Sequence, residues 1–153
     1  DVNGTVRQIV EALGPGSYLG IDIDTGPGVD MVCSLDRAYV QFGSFDLVIC
    51  TEVLEHVVDW KPSLLALVDL VLPAGYLLIT TRSPGFPYHP YPIDTWRYTT
   101  EALTDAVQRL GLIVERVDTD PQAPGVLLLA RKPVVRGEVL DSVEGVTPMT
   151  QES

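Results

Sequence analysis

Residues 44–57 read SFDLVICTEVLEHV, an apolar run broken only by Asp46 that gives way to Thr51, Glu52, Glu55 and His56. Carboxylates can steady a cation, and an imidazole titrates near neutral pH, so it can take a proton from a reacting group. The chain's second histidine, His89, lies within residues 84–98. That stretch holds four of the twelve prolines and five of the eleven aromatics, together with Asp94 and Arg97. Prolines lower the entropy lost when a loop becomes ordered, and aromatic rings exclude water from what they cover. The loop therefore reads in two ways. It is either a lid over a bound small molecule, touched by Tyr88, His89 and Arg97, or a satellite core anchored by Trp96 and Tyr98. In the first reading Arg97 suits a carboxylate or phosphate on that molecule.

These groups need elements to position them. Val6, Ile9, Val10 and Leu13 recur at helical spacing, and LGPG at residues 13–16 stops that helix. YLGIDI (18–23), VDMVC (29–33), FDLVIC (45–50) and a strand over residues 76–81 read as four strands. KPSLLALVDLVL predicts a helix with Pro62 in its first turn and Leu64, Leu67, Val68 and Val71 inward. TTEALTDAVQRLG predicts another, with Thr99 or Thr100 as cap, Leu103, Ala106, Val107 and Leu110 inward, and Gly111 just past its end. LIVERVD (112–118) and GVLLLAR (125–131) are joined by TDPQAP, short enough for antiparallel pairing.

Strands alternating with helices and closed by an antiparallel pair describe an open α/β sheet. Ligands in such sheets bind outside the carboxyl ends of the strands. The residues at those ends are Asp22 and Asp24, then Ser34 and Asp36, then Thr51, Glu52 and His56, then Arg82 and His89. From spacing alone, Asp22 reads equally as a ligand or as a solvated acid in a glycine-rich turn. Glu52 reads equally as a site residue or as a helix-start acid facing water, and His56 as a base or as a packing residue. Glu55 reads as structural.

YLGIDI, then FDLVICTEVLEHV, a helix and LPAGYLLITT together resemble the class I S-adenosylmethionine-dependent methyltransferases over residues 1–132. SPGFPYHPYPIDTWRYT resembles a loop of small members of that class. The resemblance implies a Rossmann-like, mostly parallel open sheet with an antiparallel final pair, and S-adenosylmethionine as cofactor. It places Asp22 on the ribose hydroxyls, Ser34, Leu35 and Asp36 at the adenine edge, and Thr51 and Glu52 beside the sulfonium. Ser34 stands where the class has an acid. The class's first strand and its glycine-rich turn are absent, and that strand is central in the sheet. The expectation is a sequence truncated at its start, or another segment filling the gap. The implied activity is methyl transfer to a hydroxyl or amine of a small-molecule acceptor, with His56 or His89 as base. The rival readings are a degenerate binding or interaction module and an NAD-dependent oxidoreductase, since an acid after the second strand also suits NAD ribose.

A net charge of −11, with only ten basic residues among 153, argues against nucleic acid as the main partner. No apolar run approaches a membrane span. Cys33 and Cys50 lack metal-ligand spacing and read as reduced core thiols of a cytoplasmic protein. No cluster of His, Cys and carboxylates points to a metal. Residues 133–153, whose final seventeen positions hold four acids and no base, read as a poorly ordered tail. Oligomeric state is left open.

Overall fold

The computed structural model describes residues 5–42 and 44–134; the acidic tail, apart from residues 133 and 134, lies outside them. Among the described residues there are two sheets. The first is a short parallel pair, β1 (Ile21–Asp22) and β2 (Met31–Val32). The second has four strands in the order β3 (Phe45–Thr51), β4 (Val71–Arg82), β6 (Gly125–Arg131), β5 (Ile113–Thr119). β3 and β4 are parallel, and β6 runs antiparallel to both β4 and β5. The Rossmann-like arrangement and the antiparallel ending agree with the reading of the sequence.

β1 is much shorter than the alternating YLGIDI segment suggested. Gly20 explains part of this: a Cβ there would stand 1.9 Å from the Gly28 carbonyl oxygen, so the two backbones meet where only glycine fits. The Gly20 carbonyl accepts from the amides of Asp30 and Met31, which turns the chain back into β2. Helix α1 (Arg7–Glu11) forms where the spacing placed it, and Arg7 ties it to this pair by an ion pair with Asp30 and by stacking 4.4 Å from the Tyr18 ring. Its apolar positions are not buried, however, with Ile9 70% and Leu13 77% exposed.

Helix α2 (Leu35–Phe42) forms between β2 and β3, where the spacing predicts no element. Asp36 lies in its first turn, which suits the positive end of the helix dipole. Helix α3 (Trp60–Leu70) is capped by the Asp59 side chain, which accepts from the Lys61 amide. Leu64, Leu67 and Val68 are buried as expected, whereas Val71 opens β4 instead of closing the helix. Lys132 Nζ donates to the Val68 and Val71 carbonyls at 2.9 Å and satisfies that helix end. Helix α4 (Thr100–Arg109) starts at Thr99, whose side chain accepts from the Ala102 amide, a cap worth about 1 kcal/mol. Gly111 takes a positive φ just beyond it.

The core gathers on the four-stranded sheet. Leu77, Ile79, Leu128 and Ala130 are fully buried beneath Leu103 and Val107 of α4 and Leu64 and Leu67 of α3. Cys33 and Cys50 are buried free thiols, as expected. Among the described residues no helix is long and apolar enough to cross a membrane.

Candidate functional site

β1 and β2 are parallel neighbours, as are β3 and β4, so each pair delivers its carboxyl ends side by side. On the first pair, the Cys33 amide donates to the Asp22 carbonyl at 2.8 Å, placing Ser34 beside Asp22. The Asp22 side chain is exposed, and one oxygen accepts from the Asp24 amide at 3.1 Å. Ser34 donates to Asp36 across the start of α2. Leu35 packs partly against the core.

On the second pair, Thr51 lies in register with Thr80. Glu52 then adopts φ +56°, a left-handed conformation that a non-glycine residue takes only when its surroundings impose it. Three contacts impose it here. The Glu52 amide donates to the Thr80 carbonyl, its carboxylate accepts from Thr80 Oγ1 at 2.9 Å, and Arg82 forms an ion pair with it. Arg82 is itself held by Asp120 at 3.1 Å and by the Phe86 ring 4.4 Å below its guanidinium.

A 3-10 turn at Leu54–His56 follows, and the proline-aromatic loop is strapped onto it. The amides of Thr95 and Trp96 donate to the Glu55 carbonyl at 2.9 and 3.2 Å. Tyr98 Oη donates to the Leu54 carbonyl, and Trp96 Nε1 to that of Val57, both at 2.9 Å. His56 Nδ1 bonds the Ile93 carbonyl, which assigns its proton to Nδ1 and leaves Nε2 with a lone pair. Trp96 and Tyr98 are thus anchors, and the loop is also the wall that brings His89 to His56: the two rings sit edge to face, 4.8 Å between centroids.

Glu55, read as structural, lies within this turn. Its side chain is fully buried, one oxygen accepts from Thr81 Oγ1 at 2.7 Å, and the other has no hydrogen-bond partner among the described residues. Burial pushes its carboxyl above the usual range, against the opposing Thr81 hydrogen bond. A signal existed in the sequence: an acid adjoining a histidine just after a buried strand has little chance of facing water on both sides.

Arg97 is committed internally. It clamps Asp94 through two nitrogens and donates to the carbonyls of Trp96 and Pro87. Its guanidinium holds the Asp94 carboxyl well below the usual carboxylate range. Arg97, expected to meet an acceptor anion, uses these donors within the loop and organises it. Asp94 also receives the His89 amide at 2.8 Å and lies 3.3 Å from His89 Nδ1. Tyr88, 74% exposed, stands at the outer face.

The predicted residues thus fall into two groups, Asp22, Ser34, Leu35 and Asp36 on one rim and Thr51, Glu52, His56 and His89 on the other. No hydrogen bond or ion pair joins the groups among the described residues, because the two sheets do not pair with each other. A cavity of about 270 Å³ lies near Ser83, Thr99, Thr119 and Gly125, and one of about 150 Å³ between Trp60, Trp96, Tyr98 and Ala106. Neither is lined by Asp22, Ser34 or Glu52.

The donor set on the first rim fits an adenosine. The exposed Asp22 carboxylate keeps an oxygen available to a vicinal diol, and Ser34 and Asp36 offer polar edges beside it.

The fold recurs in known proteins. An S-adenosylmethionine-dependent methyltransferase from Mesorhizobium loti superposes with a TM-score of 0.61 at 18% identity, over 82% of this chain and 85% of that one. A Burkholderia thailandensis 1,6-didemethyltoxoflavin-N1-methyltransferase, solved with 1,6-didemethyltoxoflavin and S-adenosylhomocysteine, gives 0.67 at 15% identity over 86% and 68%. An S-adenosylmethionine-dependent methyltransferase from Archaeoglobus fulgidus gives 0.65 at 12% identity over 82% and 80%. No curated protein matches the chain in sequence. The fold is that of the class I S-adenosylmethionine-dependent methyltransferases, enzymes whose cofactor is S-adenosylmethionine. The chain belongs to the methyltransferase domain family, whose pattern matches residues 3–114.

Proposed function

We propose that this domain methylates a hydroxyl or amine of a small-molecule acceptor, with S-adenosylmethionine as donor. Asp22, Ser34, Asp36 and the Leu35 backbone hold the adenosine, and Thr51 and Glu52 flank the sulfonium. Tyr88 and His89 meet the acceptor. S-adenosylmethionine supplies a methyl group on a cationic sulfur that leaves as a neutral thioether. The protein has mainly to align the acceptor with that methyl and keep water away.

The observation that carries this reading is the pairing of His56 with His89 beside the carboxyl end of β3. A hydroxyl or amine must shed a proton on methylation, and imidazoles near neutral pH are suited to receive it. The fixed Nδ1–H of His56 leaves Nε2 as the acceptor. The small-molecule class draws support from the Burkholderia thailandensis enzyme of the same fold, which was solved with such an acceptor.

Isothermal titration with S-adenosylmethionine tests the donor assignment, and transfer of labelled methyl to a panel of hydroxyl and amine acceptors tests the class. Binding at micromolar to millimolar affinity is expected. A folded protein that takes no S-adenosylmethionine would instead support a binding or interaction module.

A further inference from the structure

We propose that Glu55, His56 and His89 form a binding site for a first-row divalent transition-metal ion. One ligand atom from each of these side chains lies within 4.8 Å of the other two. His56 Nε2 stands 3.8 Å from Glu55 Oε1. That oxygen is the independent sign of a ligand: it belongs to a fully buried carboxylate, yet accepts no hydrogen bond among the described residues. A buried acceptor left bare is costly, and a cation in front of it removes the cost.

The outer contacts fit the same purpose. Nδ1 of His56 faces the Ile93 carbonyl and Nδ1 of His89 faces the Asp94 carboxylate, so each ring presents Nε2 as its ligand atom. Thr81 holds the other oxygen of Glu55. Metal-ligating imidazoles and carboxylates are oriented by such partners. Two imidazoles and one carboxylate suit Mn²⁺, Fe²⁺, Co²⁺ or Zn²⁺ better than Ca²⁺. With bonds of about 2.0–2.2 Å, the ligand atoms would stand about 3–3.6 Å apart, so the cluster must contract by about 1 Å. His89 can supply that movement, because its side chain is 40% exposed and sits on a loop.

The same exposure leaves coordination positions open on the outer side. This rests on the proposed function and changes one part of it: with the ion bound, the Nε2 atoms are ligands, so an acceptor oxygen held at an open position gives its proton to water instead of to His56 or His89.

The test uses Co²⁺ alone, added to the chain purified with chelator, and reads visible ligand-field absorption and titration calorimetry. One ion per chain is expected. His89→Ala should weaken binding at least about tenfold without changing the circular dichroism spectrum, and Glu55→Gln should do the same or more. Glu55 is buried, so the exposed His89 variant keeps the test decisive should the Gln variant misfold. Absence of Co²⁺ absorption, or equal binding by the wild type and a His56→Ala/His89→Ala double variant, overturns the site. S-adenosylmethionine titration of the same samples reports separately on the function: donor binding without Co²⁺ binding overturns this inference alone.

Discussion

Thr81 Oγ1 donates a 2.7 Å hydrogen bond to Glu55 Oε2, and both side chains are sealed from solvent. β4 thus reaches the 3-10 turn after β3 through a single hydroxyl. Replacing it by Thr81→Val leaves both oxygens of a buried carboxylate bare. The expected loss is about 1–3 kcal/mol in urea unfolding, whereas Thr81→Ser, which keeps the donor, stays close to wild type. Equal midpoints for Val and wild type would show that the bond contributes nothing.

Asp22→Asn tests the donor rim without touching the core. Asp22 is exposed, so its unfolding midpoint should barely move. An amide offers one acceptor oxygen where the carboxylate offers two and carries no charge. S-adenosylmethionine affinity should fall about tenfold or more by calorimetry. Unchanged affinity removes Asp22 from the ribose.

Acid stability should depend on Asp94. Its carboxyl is held below the usual range first by Arg97, with the His89 amide adding to this and burial acting against it. A folded-state pKa below the unfolded one gives stability that is present above the unfolded value, about 3.9, and lost as pH falls through the folded value. Urea midpoints should therefore decline more steeply below about pH 4 in wild type than in Asp94→Asn, which starts lower at neutral pH. Parallel acid limbs would exclude the Arg97 pair as the cause.

Cys50 should be a poor nucleophile. Burial, and then the nearby charges of Glu55 and Glu52, push its thiol up to about 12. At pH 8 a thiolate fraction of about 10⁻⁴ replaces the quarter or so of an ordinary cysteine, a roughly 10³-fold handicap before access is counted. In a Cys33→Ser background, alkylation by iodoacetamide should be slower by at least that factor in buffer than in urea. Comparable rates would mean that Cys50 opens readily. The sign extends to alkaline stability: a raised folded pKa is compatible with full stability below about pH 8.5, lost as pH climbs toward the folded value.

The local pattern carried most of the architecture. Period-two and 3.6-residue spacing located β3, α3, α4, β5 and β6 within a residue or two, and the carboxyl ends of the strands marked Asp22, Ser34, Glu52 and His56. Where periodicity misled, a tertiary fact prevailed. Val71 fits the helical face of α3 yet pairs with Phe45 as the first residue of β4. YLGIDI alternates over six residues, yet the approach of Gly28 to Gly20 leaves two of them paired.

What the sequence determined by itself was the order of elements, the family resemblance, and the residue types gathered at the strand ends, because these depend on neighbours along the chain. Which groups meet was decided only in three dimensions. His89 reaches His56, Arg97 turns inward to Asp94, and Glu55 sinks beneath Thr81 because backbone carbonyls of the turn at Leu54–His56 and of Val57 capture the distant loop through Thr95, Trp96 and Tyr98. Hydrogen bonds between segments some forty residues apart leave no periodic trace, since neither partner's spacing depends on the other.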